Sequence, residues 1–239
     1  MKKRALIIGN AGNEDEFLLG VSKDVNNYKR FLLSNIGGNW YESEISISLD
    51  ETKKEVEAKI RQVKNEKNDF IFIVFTGHGS YSRLKQCRKL YINYDYIYES
   101  DLLHSSNKQI TIIDTCAGIE DDLLLEINME SYTADSIRKN ASIDNRIVYE
   151  NDIRQCLRQQ NILYACDIDE TSADTSKGGL FSYHLIETAK NNKFEQILDT
   201  QKAYIKTDYL VQSDPRTKQN PQYFNSCRSY KRLPFSVKG

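Results

Sequence analysis

Two short apolar runs constrain this chain more than anything else in it. One is Phe70-Ile71-Phe72-Ile73-Val74-Phe75-Thr76-Gly77-His78-Gly79. The other is Ile110-Thr111-Ile112-Ile113-Asp114-Thr115-Cys116-Ala117-Gly118. Both are rich in β-branched and aromatic residues and stop at small residues beside one reactive side chain. Runs this short and this apolar read as strands buried on both faces of a parallel sheet. In open parallel sheets, chemistry collects at the carboxyl ends of the strands. His78 and Cys116 are therefore expected side by side on one sheet edge, as a cysteine nucleophile with a histidine acid/base.

The rest of the chain supplies the layers such a sheet needs. Further strands are expected at Ala5–Ile8, Ile45–Ser48 and Ile162–Cys166. Val21, Val25, Tyr28 and Leu32 fall on one face of a helix, as do Val56, Ile60 and Val63 within Thr52–Lys64, where Asp50 or Thr52 can cap the start. Later helices are expected over Ser182–Thr188 and part of Glu195–Val211. Strands alternating with helices predict one α/β domain, a mostly parallel central sheet with helices on both faces. Residues 119–150 break the rhythm with many acids and few apolar positions after Met129, and read as a long connecting loop.

Composition narrows the function. The chain has 239 residues, a net charge of −1 and three histidines, and a pI near 6.3. That balance gives no reason to expect nucleic acid or a membrane as partner. No apolar stretch reaches the roughly 20 residues of a spanning helix, and the opening apolar run ends at Gly9, too early for a signal peptide. Five cysteines, an odd number without a CxxC pair, argue for a reducing, cytoplasmic setting rather than a disulfide frame or zinc site. A cysteine at the end of an apolar strand is most often a core residue, and Cys166 is read that way. His104 and His184 are read as structural. Cys116 differs because small residues follow it, letting a substrate backbone approach and turn amides face a developing oxyanion.

With both strand-end motifs in place, the chain resembles the caspase-like cysteine peptidases, and among them the metacaspase branch. The resemblance runs over nearly the whole chain. It includes Ala5-Leu6-Ile7-Ile8-Gly9-Asn10, Leu19-Gly20-Val21-Ser22-Lys23-Asp24-Val25, Phe75-Thr76-Gly77-His78-Gly79 and Asp114-Thr115-Cys116-Ala117-Gly118. It continues through Ala165-Cys166-Asp167, Asp169-Glu170-Thr171-Ser172-Ala173-Asp174, Gly179-Leu180-Phe181-Ser182-Tyr183 and Gln219-Asn220-Pro221-Gln222. It implies a caspase-like fold: residues 1–118 as a large-subunit-like part, 119–150 as an inter-subunit loop, and 151–239 as a small-subunit-like part.

The resemblance also implies peptide hydrolysis through a thioester. Cys116 attacks, His78 handles the proton, and the N–H groups of Gly79 and Cys116 form the oxyanion hole. Asp24, Thr76, Asp114 and Val21 take the positions that line the substrate pocket. Carboxylates there pair with Arg or Lys, so cleavage after basic residues is expected, with protein or peptide as substrate. Asp167 and Asp169 are weaker candidates for the pocket rim. Self-processing in the long loop would fall at Arg138, Lys139 or Arg146, and activation would come from a partner protein, an ion or that processing. The departures are Val21 where many metacaspases carry cysteine, and Ala117 where they carry histidine. Some relatives use calcium. Glu120, Asp121 and Asp122 do not match that register, so no metal and no cofactor is assigned. The rival readings are an inactive caspase-like scaffold that binds proteins, and a different enzyme of the same clan.

Overall fold

The computed structural model describes residues 1–12, 17–119 and 144–239. In chain order its elements begin with β1 (Lys3–Asn10), α1 (Leu19–Leu33), β2 (Ile45–Leu49), α2 (Lys53–Asn65) and β3 (Phe70–Gly77). A small antiparallel group follows: β4 (Gly79–Ser82), β5 (Cys87–Ile92) and β6 (Asp95–Tyr98). Then come β7 (Lys108–Asp114), α3 (Asp144–Gln155), β8 (Gln159–Tyr164), β9 (Asp174–Thr175), β10 (Gly178–Gly179) and α4 (Leu180–Lys190). The chain closes with β11 (Ile197–Asp199), α5 (Thr200–Gln212), β12 (Gln222–Asn225) and β13 (Pro234–Val237).

The main sheet has the order β12-β8-β7-β3-β1-β2. All its pairings are parallel except that of β12 with β8. Strand alternation splits the core into two layers. Ala5, Ile7, Phe70, Phe72, Val74, Ile110 and Ile112 face one cluster with residues of α1, α3, α4 and α5. Leu6, Ile8, Ile71, Ile73, Phe75 and Ile113 face the other, against α2 and the apolar side of β5 and β6. Helix α2 starts where expected: Thr52 N–H donates to the Glu55 carboxylate at 2.9 Å, and the Thr52 hydroxyl accepts from the Glu55 N–H, a reciprocal cap.

The fold departs from the sequence expectations in three places. Strand β8 lies at Gln159–Tyr164, starting earlier than Ile162 and ending before Cys166. Its first residues are polar but buried, because their amides are bonded: Gln160 Nε2 donates to Ser106 O at 2.7 Å, and Asn161 Oδ1 accepts from Tyr223 OH at 2.7 Å. The end of the 119–150 segment belongs to α3, anchored by buried Tyr149 and Ile153. The β4–β6 group was not anticipated, although Cys87–Ile92 alternates between half-buried and buried positions.

Phe72 is fully buried and its ring meets Tyr28, Trp40 and Phe235. Phe72→Ala is expected to cost about 3–5 kcal/mol in urea unfolding; a loss below about 1 kcal/mol would mean that the layer can collapse around the gap.

Candidate active site

Parallel pairing of β3 with β7 sets Thr76 opposite Asp114. Two residues further along each segment stand His78 and Cys116. The segments stay together past the strand ends: Tyr81 N–H donates to Gly118 O at 2.9 Å, and Tyr81 pairs with Ile119 in an isolated parallel bridge. Gly79 lies so close to the cysteine turn that an added Cβ would sit 2.7 Å from the Thr115 side chain and 3.0 Å from Cys116 O. Only glycine lets the two segments touch here. The β4–β6 group continues directly from His78, whose carbonyl accepts the Tyr91 N–H at 3.1 Å.

The Cys116 thiol is half-buried. Burial pushes its pKa up, and an N–H from Ser172, 3.4 Å from Sγ, opposes that shift. At rest the group is therefore a thiol rather than a thiolate, and attack needs a base to take its proton.

Around Asp114, whose charge reaches this thiol, the structure gathers two further carboxylates, Asp24 and Asp174. Asp24, on α1, is fully buried; its Oδ2 accepts from Thr76 Oγ1 and from the Gly179 N–H, both at 2.9 Å, while Oδ1 is buried without a hydrogen-bond partner. Asp114 is also buried and accepts from Ser172 Oγ at 2.6 Å, Ser182 Oγ at 2.6 Å and Ser182 N–H at 3.1 Å. Asp174, half-buried, accepts from the Gly20 N–H at 3.0 Å. The amides come from the starts of α4 and α1, where free N–H groups and the helix dipole favour negative charge. Among the described residues, no cation is bonded to any of the three. Burial raises the pKa of all three, and for Asp24 the charge of Asp114 raises it further. Gly178 (φ +113°) closes over Asp24, and a Cβ there would lie 2.0 Å from Oδ1.

Asp24, Thr76 and Asp114 thus meet as the sequence suggested. Asp174 belongs with them and was overlooked as a pocket residue, although it ends a quoted motif and stands just before the Gly178-Gly179 pair. Asp167 and Asp169 are exposed on the loop after β8, away from these hydrogen bonds. Val21 is buried against β1, with Cγ1 3.0 Å from where a Gly9 Cβ would stand. Arg146 lies within α3, its guanidinium bonded to Glu44 at 2.7 Å and to Glu150 at 3.0 Å. Arg138 and Lys139, like Glu120, Asp121 and Asp122, lie outside the described residues. His104 is exposed with a left-handed backbone (φ +56°), and His184 is half-buried on α4 beside Tyr183. Among the described residues no group of His, Cys, Asp or Glu is placed to hold a metal ion.

A cysteine and a histidine delivered by neighbouring parallel strands, at the carboxyl edge of a six-stranded sheet flanked by helices, define a class: α/β cysteine peptidases with a caspase-like fold. The chain matches the family model described as "Caspase domain" over residues 2–231, and it belongs to that family. No curated protein sequence matches it. Among solved structures, caspase-1 from Spodoptera frugiperda shares 13% identity over 93% of this chain and 88% of that one, with a TM-score of 0.63. Protein GSU0716 from Geobacter sulfurreducens shares 14% over 100% of both chains, with a TM-score of 0.64. The Drosophila initiator caspase Dronc shares 10% over 99% of this chain and 81% of that one, with a TM-score of 0.58. At these identities the structural likeness establishes the fold. The family match supports cysteine peptidase activity on protein substrates in general.

The carboxylates also make a prediction about stability. Asp24 and Asp114 hold their protons more tightly folded than unfolded, so the folded state binds more protons around the ordinary carboxylate range. Stability from these groups is present below the ordinary carboxylate pKa and is lost as pH rises from there through their raised folded-state pKa values. At neutral pH they are a standing cost. Asp24→Asn is therefore expected to raise Tm at pH 7, with the gain shrinking as pH falls towards about 4. A lower Tm across that range would contradict this account of the pocket.

Proposed function

We propose that this chain is a cysteine endopeptidase of the metacaspase type that hydrolyses peptide bonds after Arg or Lys. The observation that carries the reading is the group of Asp24, Asp114 and Asp174, bonded to amides and hydroxyls rather than to a cation, with Asp114 within electrostatic reach of the Cys116 thiol. A buried carboxylate pair with a free oxygen is costly unless something positive completes it. A guanidinium can offer several N–H donors at once, and an ammonium a compact charge.

In this mechanism a basic side chain enters between the carboxylates and brings the carbonyl of its own residue to Cys116. His78 takes the thiol proton as sulfur attacks. The oxyanion collects N–H donation from Gly79 and Cys116, and His78 returns the proton to the leaving amine. Water then attacks the thioester, His78 taking its proton; the C–S bond breaks, His78 returns the proton to sulfur, and the acid product leaves. This sequence calls on no third acid.

Fluorogenic peptides ending in Arg, Lys or Asp, with wild type and Cys116→Ala, and with and without calcium, test the reading. Arg and Lys peptides are expected to turn over only with wild type, and Asp24→Ala to lower kcat/KM for them by about 100-fold or more. Turnover of Asp peptides would overturn the pocket. Silence under every condition would favour the scaffold reading.

Arg138 and Lys139 are the proposed self-processing sites. The helical backbone and ion pairs of Arg146 are unlike the extended segment that a peptidase cleft takes. Purified wild type is expected to develop new N-termini after Arg138 or Lys139, absent in Cys116→Ala; an active chain that stays intact would remove this proposal.

A further inference from the structure

We propose that Ser172 is a positioning residue that ties Cys116 to Asp114, so that the attacking sulfur and the seat of the substrate's basic side chain are held as one unit. This rests on the reading of Asp114 as a pocket residue. The geometry is direct. The Ser172 N–H donates to Cys116 Sγ at 3.4 Å, and the Ser172 carbonyl accepts from the thiol at 3.7 Å. The hydroxyl of the same residue donates to Asp114 Oδ1 at 2.6 Å. One buried serine therefore touches the nucleophile with its backbone and the pocket with its side chain.

The loop that carries Ser172 is fastened from three sides. Ala117, next to the nucleophile, donates its N–H to Glu170 O at 2.8 Å and accepts from the Asp169 N–H at 2.8 Å. Gln219 is 2% exposed. It accepts from the Ala173 N–H at 3.1 Å and donates to Ala165 O at 2.6 Å and to Ser172 Oγ at 3.4 Å. Its amide thus bridges the end of β8 to the Ser172 turn, using its oxygen on one partner and its nitrogen on two.

The arrangement has a chemical consequence. A backbone N–H aimed at sulfur favours thiolate over thiol. The short bond from the hydroxyl to a carboxylate fixes where that N–H points. The hydroxyl acts on the sulfur only through its own amide. Other charged or titratable groups around Cys116 are Asp114 on β7, which opposes the thiolate, Arg88 on β5, which favours it, Cys166 after β8, and His78 at the neighbouring strand end. The Cys116 N–H itself also favours the thiolate, less than the Ser172 N–H does, and the charged groups replace neither directional donor.

The test follows alkylation of Cys116 by iodoacetamide across pH, read by mass spectrometry on the Cys116 peptide, in wild type, Ser172→Ala, Ser172→Thr and Gln219→Ala. Tm is recorded for each. Ser172→Ala is expected to react about tenfold more slowly at pH 7, equivalent to one pKa unit, and to converge with wild type at high pH. Ser172→Thr, which keeps the hydroxyl, is expected to restore the wild-type profile, and Gln219→Ala to shift it in the same direction as Ser172→Ala. With arginyl peptides the Ser172→Ala loss is expected in kcat. A Ser172→Ala profile that superimposes on wild type, or that is slower by one factor at every pH, overturns the proposal. Iodoacetamide is uncharged, so the result does not depend on substrate preference. Failure of wild type to cut after Arg or Lys would overturn the specificity reading separately.

Discussion

Strands β3 and β7 pair in parallel with Thr76 opposite Asp114, and the end of the molecule that carries the candidate site is built outward from that register. The same pairing that buries Phe72, Val74, Ile110 and Ile112 on one face places Thr76 and Asp114 across from each other at the sheet edge. It then releases His78 and Cys116 at matching positions beyond it. A slip of one residue in either strand would turn every core side chain to the opposite layer. The two core layers therefore enforce the geometry of the candidate site, and the placement of His78 and Cys116 is a by-product of packing. Gly79 completes it by allowing the histidine and cysteine turns to touch.

The electrostatics of the site run against stability. Asp24 and Asp114 are buried with raised pKa values, and their partners are hydroxyls and helix-start amides that soften the charge without cancelling it. Cys116 is likewise held as a thiol by burial. On the proposed reading, a basic side chain of the substrate completes such a site. Loss of stability in exchange for a poised binding site is a common feature of enzymes. The helix starts of α1 and α4 supply what compensation there is, which explains why both abut the pocket.

Much of this was legible in the chain. The runs at Phe70 and Ile110 could only be doubly buried strands, and their terminal His78 and Cys116 could only emerge together. Asp24 and Thr76 were reached through resemblance, since nothing in local periodicity distinguishes Asp24 from a solvated helix residue. Asp174 was missed because its role depends on a loop folding back onto Gly20, a contact spanning most of the chain. The start of β8 was missed because Gln159, Gln160 and Asn161 look like surface residues until their long-range partners are known. Ser172 and Gln219 were visible only as parts of motifs. Their importance lies in which atoms they bridge, and spacing does not encode that.

The central claim is that the buried carboxylates form the seat for a basic side chain next to the nucleophile. The most direct measurement is a crystal structure of the protein alkylated at Cys116 by an arginyl chloromethyl ketone. The account predicts a thioether at Cys116 Sγ with the guanidinium bonded to both Asp24 and Asp114, satisfying the Asp24 oxygen that has no partner in the free protein. An inhibitor attached at Cys116 whose guanidinium lies in solvent, with both carboxylates bonded as in the free protein, would contradict it.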